Sequence, residues 1–309
     1  MNDEHWIVST LSRSLAFGTP LLWGSLGEIY AERAGVINLG VEGMMLLGAF
    51  SAFAVAYATA QPLLGLLAAA AVGGIAALLH AFVVITLRAN QYVSGLALTM
   101  LGLGLAGLLG RGWEGLPLPT PLADVSVPWL AQLPILGPAL FTKQSILTYL
   151  GLLLAVLLEF VLSSTRWGII MRSVGEAPAA ADALGINVAW VRYVCVGVGG
   201  VLAGVAGGFL SVSYLPAWTE GITAGMGWVA LALAIFAAWA PLKAIGGALL
   251  FGALYHLSFR LQTWVVPELL QLMPYACTIV VLVMAALGKT RRWRGAPAAL
   301  GQPYVRGET

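Results

Sequence analysis

The stretch Pro62-Leu-Leu-Gly-Leu-Leu-Ala-Ala-Ala-Ala-Val-Gly-Gly-Ile-Ala-Ala-Leu-Leu-His-Ala-Phe-Val-Val-Ile-Thr-Leu87 decides the fold class of this chain. It contains no Asp, Glu, Lys or Arg over a length greater than the roughly 20 residues that a helix needs to cross a bilayer. A helix satisfies its backbone hydrogen bonds internally, as lipid requires. The stretch therefore predicts a membrane-spanning helix.

The composition extends this conclusion to the whole chain. Of its 309 residues, 60% are hydrophobic and 9% are charged, against about 25% charged in a soluble domain. The mean hydropathy is +0.91. So few charges cannot cover a water-facing surface of this size, which excludes a soluble globular protein. We expect an all-α, polytopic integral membrane protein with a single transmembrane domain over residues 1–309.

Apolar segments of spanning length recur along the chain between polar or turn-rich breaks. About nine spans are expected, within a range of eight to ten, at residues 7–30, 37–58, 62–87, 92–110, 145–163, 191–214, 226–240, 245–262 and 271–288. The connections at 111–144 and 163–191 are longer than turns. Six prolines in 111–144 disfavour a regular helix there.

Basic residues are distributed unevenly over the loops. Five of the 15 Lys and Arg residues follow the last apolar segment, and loops that keep positive charge stay cytoplasmic. With nine spans, six more basic residues in the loops fall on that same side. This pattern predicts a cytoplasmic tail at 289–309 and a cytoplasmic loop at 163–191, with 111–144 outside.

The loop at 163–191 contains the pattern of a short helix. Pro178 stands at a first helical position, residues 179–184 are mostly strong helix formers, and Gly185 is placed to end the helix. Two turns of helix are marginal in water because nucleation is costly. The alanine face, including Ala181, lets another protein approach closely, so we interpret it as a docking element. The alternative is a surface turn that contacts nothing.

A second informative stretch is rich in glycine and begins an apolar segment. It reads Glu32-Arg-Ala-Gly-Val-Ile-Asn-Leu-Gly-Val-Glu-Gly-Met-Met-Leu-Leu-Gly-Ala-Phe50, and a broken or late-starting helix would explain its pattern. A carboxylate facing hydrocarbon is costly, so Glu42 should face protein or a water-filled path. It either belongs to a solute pathway or only caps the second span. The pathway candidates are polar side chains at breaks or along spans: Asn38, Glu42, Asn90, Gln91, Ser94 and Thr99.

Other glycines predict helix packing rather than nucleotide binding. Gly200, Gly204 and Gly208 recur every four residues, which is typical of close contacts between membrane helices. Residues 102–107 match a Gly-x-Gly-x-x-Gly pattern, but no strand precedes them, and the Gly-Lys-Thr at 288–290 lacks the earlier glycine of a phosphate loop. We therefore expect no cofactor in this chain.

Catalytic and metal sites are not predicted either. Cys195 and Cys277 lie 82 positions apart, without a histidine at ligand spacing. His80 and His256 lie inside apolar segments and could serve a proton relay. Neither has an acidic partner at helical spacing, so a hydrogen-bonded packing role is favoured. We expect neither an enzyme nor a nucleic-acid-binding protein.

Three stretches together resemble a known transporter family. They are Glu32-Arg-Ala-Gly-Val-Ile-Asn-Leu-Gly-Val-Glu-Gly43, Arg172-Ser-Val-Gly-Glu-Ala-Pro-Ala-Ala-Ala-Asp-Ala-Leu-Gly-Ile-Asn187 and Pro297-Ala-Ala-Leu-Gly-Gln-Pro-Tyr304. Over nearly its whole length the chain resembles the ABC-type permeases of the branched-chain amino acid and ribose superfamily. Within that superfamily it is most similar to the shorter permease subunit of nucleoside and simple-sugar uptake systems.

The resemblance implies a multi-pass subunit of an importer in a bacterial inner membrane. It implies a second, longer permease subunit as partner, a cytoplasmic ABC ATPase that holds the ATP, and a substrate-binding lipoprotein that delivers a small polar solute. It also implies that the loop at 163–191 couples to the ATPase. The coupling residues are then Gly175, Glu176, Pro178, Ala180, Ala181, Gly185 and Ile186.

Two other kinds of transporter stay open at this point. A branched-chain amino acid permease of the same superfamily would want an aliphatic pocket and paired charges for its zwitterionic solute, which the sequence does not single out. An ion-coupled secondary transporter would carry inverted repeats, and no convincing repeat pairing joins the two halves. We expect alternating access, with nucleosides as the first choice of solute and simple sugars as the second.

Overall fold

The structure is a computed structural model that describes residues 3–132, 136–262 and 295–307, with isolated positions between 265 and 283. Across these ranges most of the chain is helical. The prediction of an all-α polytopic fold is therefore confirmed. The ninth expected span, at 271–288, and Cys277 lie outside the described ranges.

Eleven α-helices occur in the described part of the chain. Their bounds are α1 Asp3–Arg33, α2 Val41–Thr59, α3 Pro62–Ala81, α4 Gln91–Gly110, α5 Leu136–Leu140, α6 Ile146–Ser164, α7 Arg166–Glu176, α8 Pro178–Ala183, α9 Val188–Phe209, α10 Met226–Phe236 and α11 Pro241–Leu261. Wider π-helical turns extend α3 through Phe82–Thr86 and α9 through Leu210–Tyr214, and a 3₁₀ turn, Arg111–Trp113, extends α4.

Eight of the nine expected segments coincide with helices. With their extensions, five helices in the described ranges are long and apolar enough to cross a membrane: Val41–Thr59, Pro62–Thr86, Gln91–Trp113, Ile146–Ser164 and Val188–Tyr214. The first and eighth expected segments correspond to α1 and α11, of 31 and 21 residues. Both are at least as long as the roughly 20 residues that a bilayer core requires.

The seventh expected span, 226–240, is corrected by the structure. Its helix α10 has 11 residues, which is about 16 Å of helix and half of a bilayer core. The irregular segment 215–225 precedes it and pairs with residues near 114–118 at one end of the bundle. This segment and α10 together cross from that end to the other. Trp218 and Thr223 bury part of the irregular segment in the bundle, and irregular backbone at membrane depth requires protein or a water-filled cavity around it.

Helix α9 lies at the centre of the bundle, packed against α1, α2 and α3. The contacts are close because glycines face each other. A Cβ on Gly27 would lie 2.6 Å from the Gly199 carbonyl oxygen, and one on Gly73 would overlap the Gly200 carbonyl. Small residues at these crossings bring the helix backbones together, which is how membrane helices gain packing energy.

The expected outer loop, 111–144, is only partly irregular. Strand β1, Asp124–Val125, pairs antiparallel with β2, Gln144–Ser145. The five-residue helix α5 lies between them, so the expectation that this loop has no regular helix is corrected. The loop covers the end of α9, where Leu122 N–H donates to the Val212 carbonyl at 2.8 Å.

The loop at 163–191 contains a helix that the sequence analysis did not predict. Helix α7 has 11 residues and begins where the Thr165 hydroxyl accepts a hydrogen bond from Gly168 N–H. Its buried face comprises Gly168, Met171, Val174 and Gly175, the three- to four-residue spacing of an amphipathic helix. The expected short helix at 179–184 is present as α8.

Candidate functional site

Helix α8 forms an exposed element at one end of the bundle. Pro178 occupies its first turn, and Gly185, with φ of +85°, follows it in the left-handed region that glycine adopts without strain. Ala180 is exposed and Leu184 is 82% exposed. Ala181 is 1% exposed, so it is not on the outer face of α8; it lines the groove between α7 and α8. Ala180 and Leu184 form the outer surface, and the coupling role of these residues stays a prediction.

A groove of about 410 Å³ lies between α7 and α8. Ile169, Ala180 and Leu184 supply its apolar lining, and Arg172 and Glu176 supply charges of both signs. The groove thus offers a partner protein an apolar contact with charged edges. Such an arrangement is typical of a protein interface with a polar rim.

The segment 295–307, here called the tail strap, ties α7 to the end of α1. Ala299 N–H donates to the Gly175 carbonyl at 2.9 Å, and Gly301 N–H donates to the Gly35 carbonyl at 3.2 Å. Gly175 lies so close to the end of α1 that a Cβ there would overlap the Arg33 carbonyl. Two of the three motifs that carry the resemblance, at 32–43 and 172–187, therefore both contact the third, at 297–304.

Arg192 of α9 joins the same junction from inside the bundle. It is 2% exposed, and its Nε donates to the Ala34 carbonyl at 3.2 Å and its Nη1 to the Gln302 carbonyl at 3.1 Å. Nearer the surface, Arg306 of the tail strap forms an ion pair with Asp182 of α8 at 3.0 Å. The tail strap thus connects α7 and α8 to α1 and α9.

A cavity of about 560 Å³ opens beside this junction. Its charged and polar lining includes Arg88, Asp182, Arg192, Tyr304 and Arg306. Desolvation and the hydrogen bond to the Asp182 carboxylate raise the pKa of Tyr304, because both disfavour the phenolate. Three arginines against one carboxylate give the cavity a positive character.

The end of α1 also holds the turn between α10 and α11. Glu32 accepts a hydrogen bond from the indole N–H of Trp239. Arg33 Nε donates to the Trp239 carbonyl at 3.1 Å, and its Nη1 donates to the Gly295 carbonyl at 3.2 Å. The last turn of α1 therefore contacts both the turn that follows α10 and the tail strap.

Glu42 caps the start of α10. Its Oε1 accepts hydrogen bonds from Thr223 Oγ1 at 2.5 Å and Gly225 N–H at 2.9 Å, and its Oε2 accepts from Gly227 N–H at 2.6 Å. The side chain is 5% exposed. The structure thus gives Glu42 a capping role at α10, a different helix from the one expected. A carboxylate at a helix N-terminus also interacts favourably with the helix dipole.

The connection between α1 and α2, residues 34–40, is irregular backbone held by side chains of α4. Gln91 Oε1 accepts from Ile37 N–H at 2.8 Å, and Thr99 Oγ1 donates to the Leu39 carbonyl at 2.8 Å. Both side chains are 2% exposed. They supply hydrogen bonds that a helix would have made within itself.

The other pathway candidates make similar local contacts. Asn38 Oδ1 accepts from Gly40 N–H at 2.9 Å, and Asn90 accepts from two backbone N–H groups at the start of α4. Ser94 lies 2.9 Å from Nδ1 of the buried His80, whose Nε2 lies 3.0 Å from a carbonyl of the connection. Five of the six candidates therefore hydrogen-bond directly to backbone groups, and Ser94 contacts the backbone only through His80. The place of all six on a solute pathway stays a prediction.

The glycines of α9 lie against α2 and α3. A Cβ on Gly200 would lie 2.5 Å from the Gly73 carbonyl oxygen, and one on Gly204 would overlap the Ala69 carbonyl. A Cβ on Gly208 would lie 2.9 Å from the Ala69 Cβ. The structure places all three glycines at crossings with other helices.

Sequence reasoning missed two parts of this site. Helix α7 was assigned to a loop, although its buried positions follow a helical period that could have revealed it. Arg192 was counted only as a cytoplasmic charge. An arginine in the first turn of an apolar segment is itself a signal of a specific partner, because an unpaired charge there is expensive. The groups that pair with Arg192 are two backbone carbonyls distant in sequence. The sequence could not identify them, because every residue has a backbone carbonyl.

Comparison with known families decides what this arrangement belongs to. The family model described as the permease component of the branched-chain amino acid transport system matches residues 10–282. The chain belongs to this permease family. As a permease component it is a multi-pass membrane protein of an ABC transport system and is not itself catalytic, and it works with an ATPase and a binding protein. No solved structure matches this chain.

Three similar proteins align over nearly their full lengths. The chain is 37% identical to the putative glucose ABC transporter permease protein TsgC13 of Haloferax volcanii, over 96% of this chain and 97% of that protein. It is 36% identical to the guanosine ABC transporter permease protein NupQ of Bacillus subtilis, over 96% of each. It is 35% identical to the nucleoside ABC transporter permease protein NupC of Lactococcus lactis, over 99% of each. The resemblance found in the sequence is thus confirmed.

Proposed function

We propose that this permease moves nucleosides or simple sugars inward across a prokaryotic plasma membrane, and that α8 receives the ATPase's motion. The observation that carries the coupling role is the junction at the tail strap. The Asp182–Arg306 ion pair links the exposed α8 to the tail strap. The strap is in turn hydrogen-bonded to α7 at Gly175 and to the central helix α9 at Arg192, which also bonds the end of α1. A force on α8 would therefore reach the helices that pack most closely in the bundle.

The partners expected from the sequence fit this placement. The groove between α7 and α8 presents apolar surface to a cytoplasmic ABC ATPase, which supplies the ATP. A second permease subunit completes the transporter, and an extracytoplasmic lipoprotein delivers the solute. The tail strap and α8 lie at one end of the bundle, and the concentration of basic residues in this part of the sequence supports a cytoplasmic location for that end.

The mechanism is alternating access driven from outside this chain. ATP binding and hydrolysis change the distance between the ATPase subunits, and α8 moves with them. An ATPase can shift the permease between inward-open and outward-open states only by fitting one state better than the other. The docking surface must therefore differ in position between the two states, which requires α8 to be firmly tied to the spans.

The coupling role can be tested at the exposed face of α8. We expect Ala180→Arg to leave the permease in the membrane while reducing solute uptake at least tenfold, because a long charged side chain would hold the partner away. Ala58→Arg is the matched control, since Ala58 is an exposed alanine at the opposite end of the bundle. Normal uptake by a normally expressed Ala180→Arg variant would remove the docking claim.

The solute can be identified by uptake of labelled guanosine, adenosine, glucose, ribose and leucine. Cells with the complete transporter are compared with cells that lack only this subunit. Because the similar proteins include nucleoside and glucose permeases, we expect the cells that lack this subunit to lose uptake of a nucleoside or a sugar. Leucine is included because the family model is described as a branched-chain amino acid permease. Loss of leucine uptake alone would reject the solute assignment and leave the permease role intact.

A further inference from the structure

An aromatic cavity lies at the end of the bundle opposite α8. Its volume is about 310 Å³, and it is lined by Arg13, Ala16, Phe17, Tyr214, Tyr255 and His256. These residues come from three places: the first half of α1, the last turn of α9 and the second half of α11. None of them was singled out as a pathway residue from the sequence. The volume is at the lower end of the range for small-molecule sites.

The rings of the cavity form an ordered cluster. Phe17 is stacked on Tyr255 with ring centroids 3.7 Å apart and an interplanar angle of 13°, and it meets Tyr214 edge-on at 5.9 Å and 74°. Phe17 is 4% exposed, whereas Tyr214 is 43% exposed. The buried ring fixes the geometry, and the exposed ring presents a face to an incoming solute.

Polar groups lie beside these rings. The guanidinium of Arg13, the hydroxyls of Tyr214 and Tyr255 and the imidazole of His256 belong to residues that line the space. Four of the six lining residues therefore carry hydrogen-bonding groups next to aromatic surface. A lipid chain needs none of these groups, whereas a nucleobase needs both a ring to stack on and donors for its ring nitrogens and carbonyl oxygen.

The cavity lies where a solute would enter from the predicted outer side. The turn containing Tyr214 continues into residues 216–218, which pair with residues 115–118 of the loop at 111–144. Helices α1 and α11 pack closely beside it, since a Cβ on Gly18 would lie 2.6 Å from the Ala248 carbonyl oxygen. Two of the three lining elements thus belong to α1 and α9, the helices that the tail strap joins to α8 at the other end.

We infer that this aromatic cavity is a nucleoside subsite of the permease, in which the base stacks on Tyr214 and Tyr255 while Arg13 and His256 hydrogen-bond to it. The inference rests on the proposed function and specifies its solute class. Helices α1 and α9 would connect this subsite to α8 at the other end of the bundle. Motion of α1 against α11 would change the spacing of the rings and so release the base.

The test uses the purified permease–ATPase complex in lipid nanodiscs, without the binding protein, and radiolabelled 8-azidoguanosine as a photoaffinity probe. We expect the label on peptides containing Tyr214 or Tyr255, competed by guanosine and not by glucose or leucine. Tyr214→Leu should lower labelling about 5- to 150-fold, the range for losing one stacked aromatic. Tyr214→Phe, which keeps the ring, should recover most of that loss.

The matched control is Tyr57→Leu, because Tyr57 is also partly exposed, by 36%, and lies outside the cavity. It should label as wild type does. Labelling at other peptides, labelling unchanged in Tyr214→Leu, or competition by glucose would overturn the subsite. Guanosine uptake by the complete transporter is measured in parallel. If uptake is present and the label lies elsewhere, only the subsite fails; if deletion of this subunit affects no solute, the proposed function fails.

Discussion

Replacing Glu42 by glutamine removes one of the two carboxylate oxygens that three buried or partly buried donors share at the start of α10. The donors are the Thr223 hydroxyl and the N–H groups of Gly225 and Gly227, at 2.5 to 2.9 Å from the carboxylate oxygens. Glutamine offers one carbonyl oxygen and turns an N–H₂ group toward the remaining position. At least one donor is then left without an acceptor.

The cost follows from this count. An orphaned buried donor costs about 1–3 kcal/mol, and the two remaining bonds lose the extra strength of a charged acceptor. We therefore expect Glu42→Gln to destabilise the folded permease by about 2–4 kcal/mol. Thr223→Val removes one donor instead of the acceptor, so it should cost less, about 1 kcal/mol.

The assay is thermal unfolding of the detergent-solubilised complex, followed by tryptophan fluorescence. Glu159→Gln is the control, because Glu159 caps the start of α11 through one exposed bond of 3.3 Å to Leu242 N–H. Such surface changes stay within about 0.5 kcal/mol. We expect a Tm several degrees lower for Glu42→Gln and an unchanged Tm for Glu159→Gln. Equal Tm values with a raised KM for solute in Glu42→Gln would refute the capping role and favour the pathway role.

Three further outcomes are expected. Gly204→Ala should lower Tm, because its Cβ would overlap the neighbouring helix, whereas Gly104→Ala should not, since nothing lies within 4 Å of its Cβ; equal effects would contradict the packing. Cysteines at Ser126 and Ala179, in a chain without native cysteines, should label from outside at position 126 only, and the reverse pattern would invert the orientation. Arg192→Ala should speed hydrogen exchange in the tail strap, and unchanged exchange would show that the strap is held without it.

Helix positions were largely readable from the sequence because lipid imposes length and apolarity on each span. The stretch at 62–87 contains α3 and its π-helical extension, Pro62–Thr86. The pattern of Pro178 and Gly185 marked both ends of α8, since proline and glycine act through local backbone geometry. These are properties of neighbouring residues, which the sequence contains directly.

Errors arose where tertiary contacts replaced local rules. Segment 226–240 is as apolar as a span, yet α10 stops after 11 residues. The chain turns after Phe236, with positive φ at Ala238 and Trp239. Glu32 and Arg33, distant in sequence, hold Trp239 in that turn. Ala181 has the small side chain of a docking residue, but its direction depends on how α8 lies on the bundle. Composition carries no information about which side of a short helix faces inward.

By itself the sequence determined that the chain crosses a membrane many times, where most helices begin and end, and which family its motifs resemble. The tertiary structure decided which distant residues meet: Arg192 with the tail strap, Glu42 with α10, and Phe17 with Tyr214 and Tyr255. The physical reason is range. Lipid and backbone constraints act on consecutive residues, whereas buried hydrogen bonds and ring contacts depend on helix crossings that only the complete packing fixes.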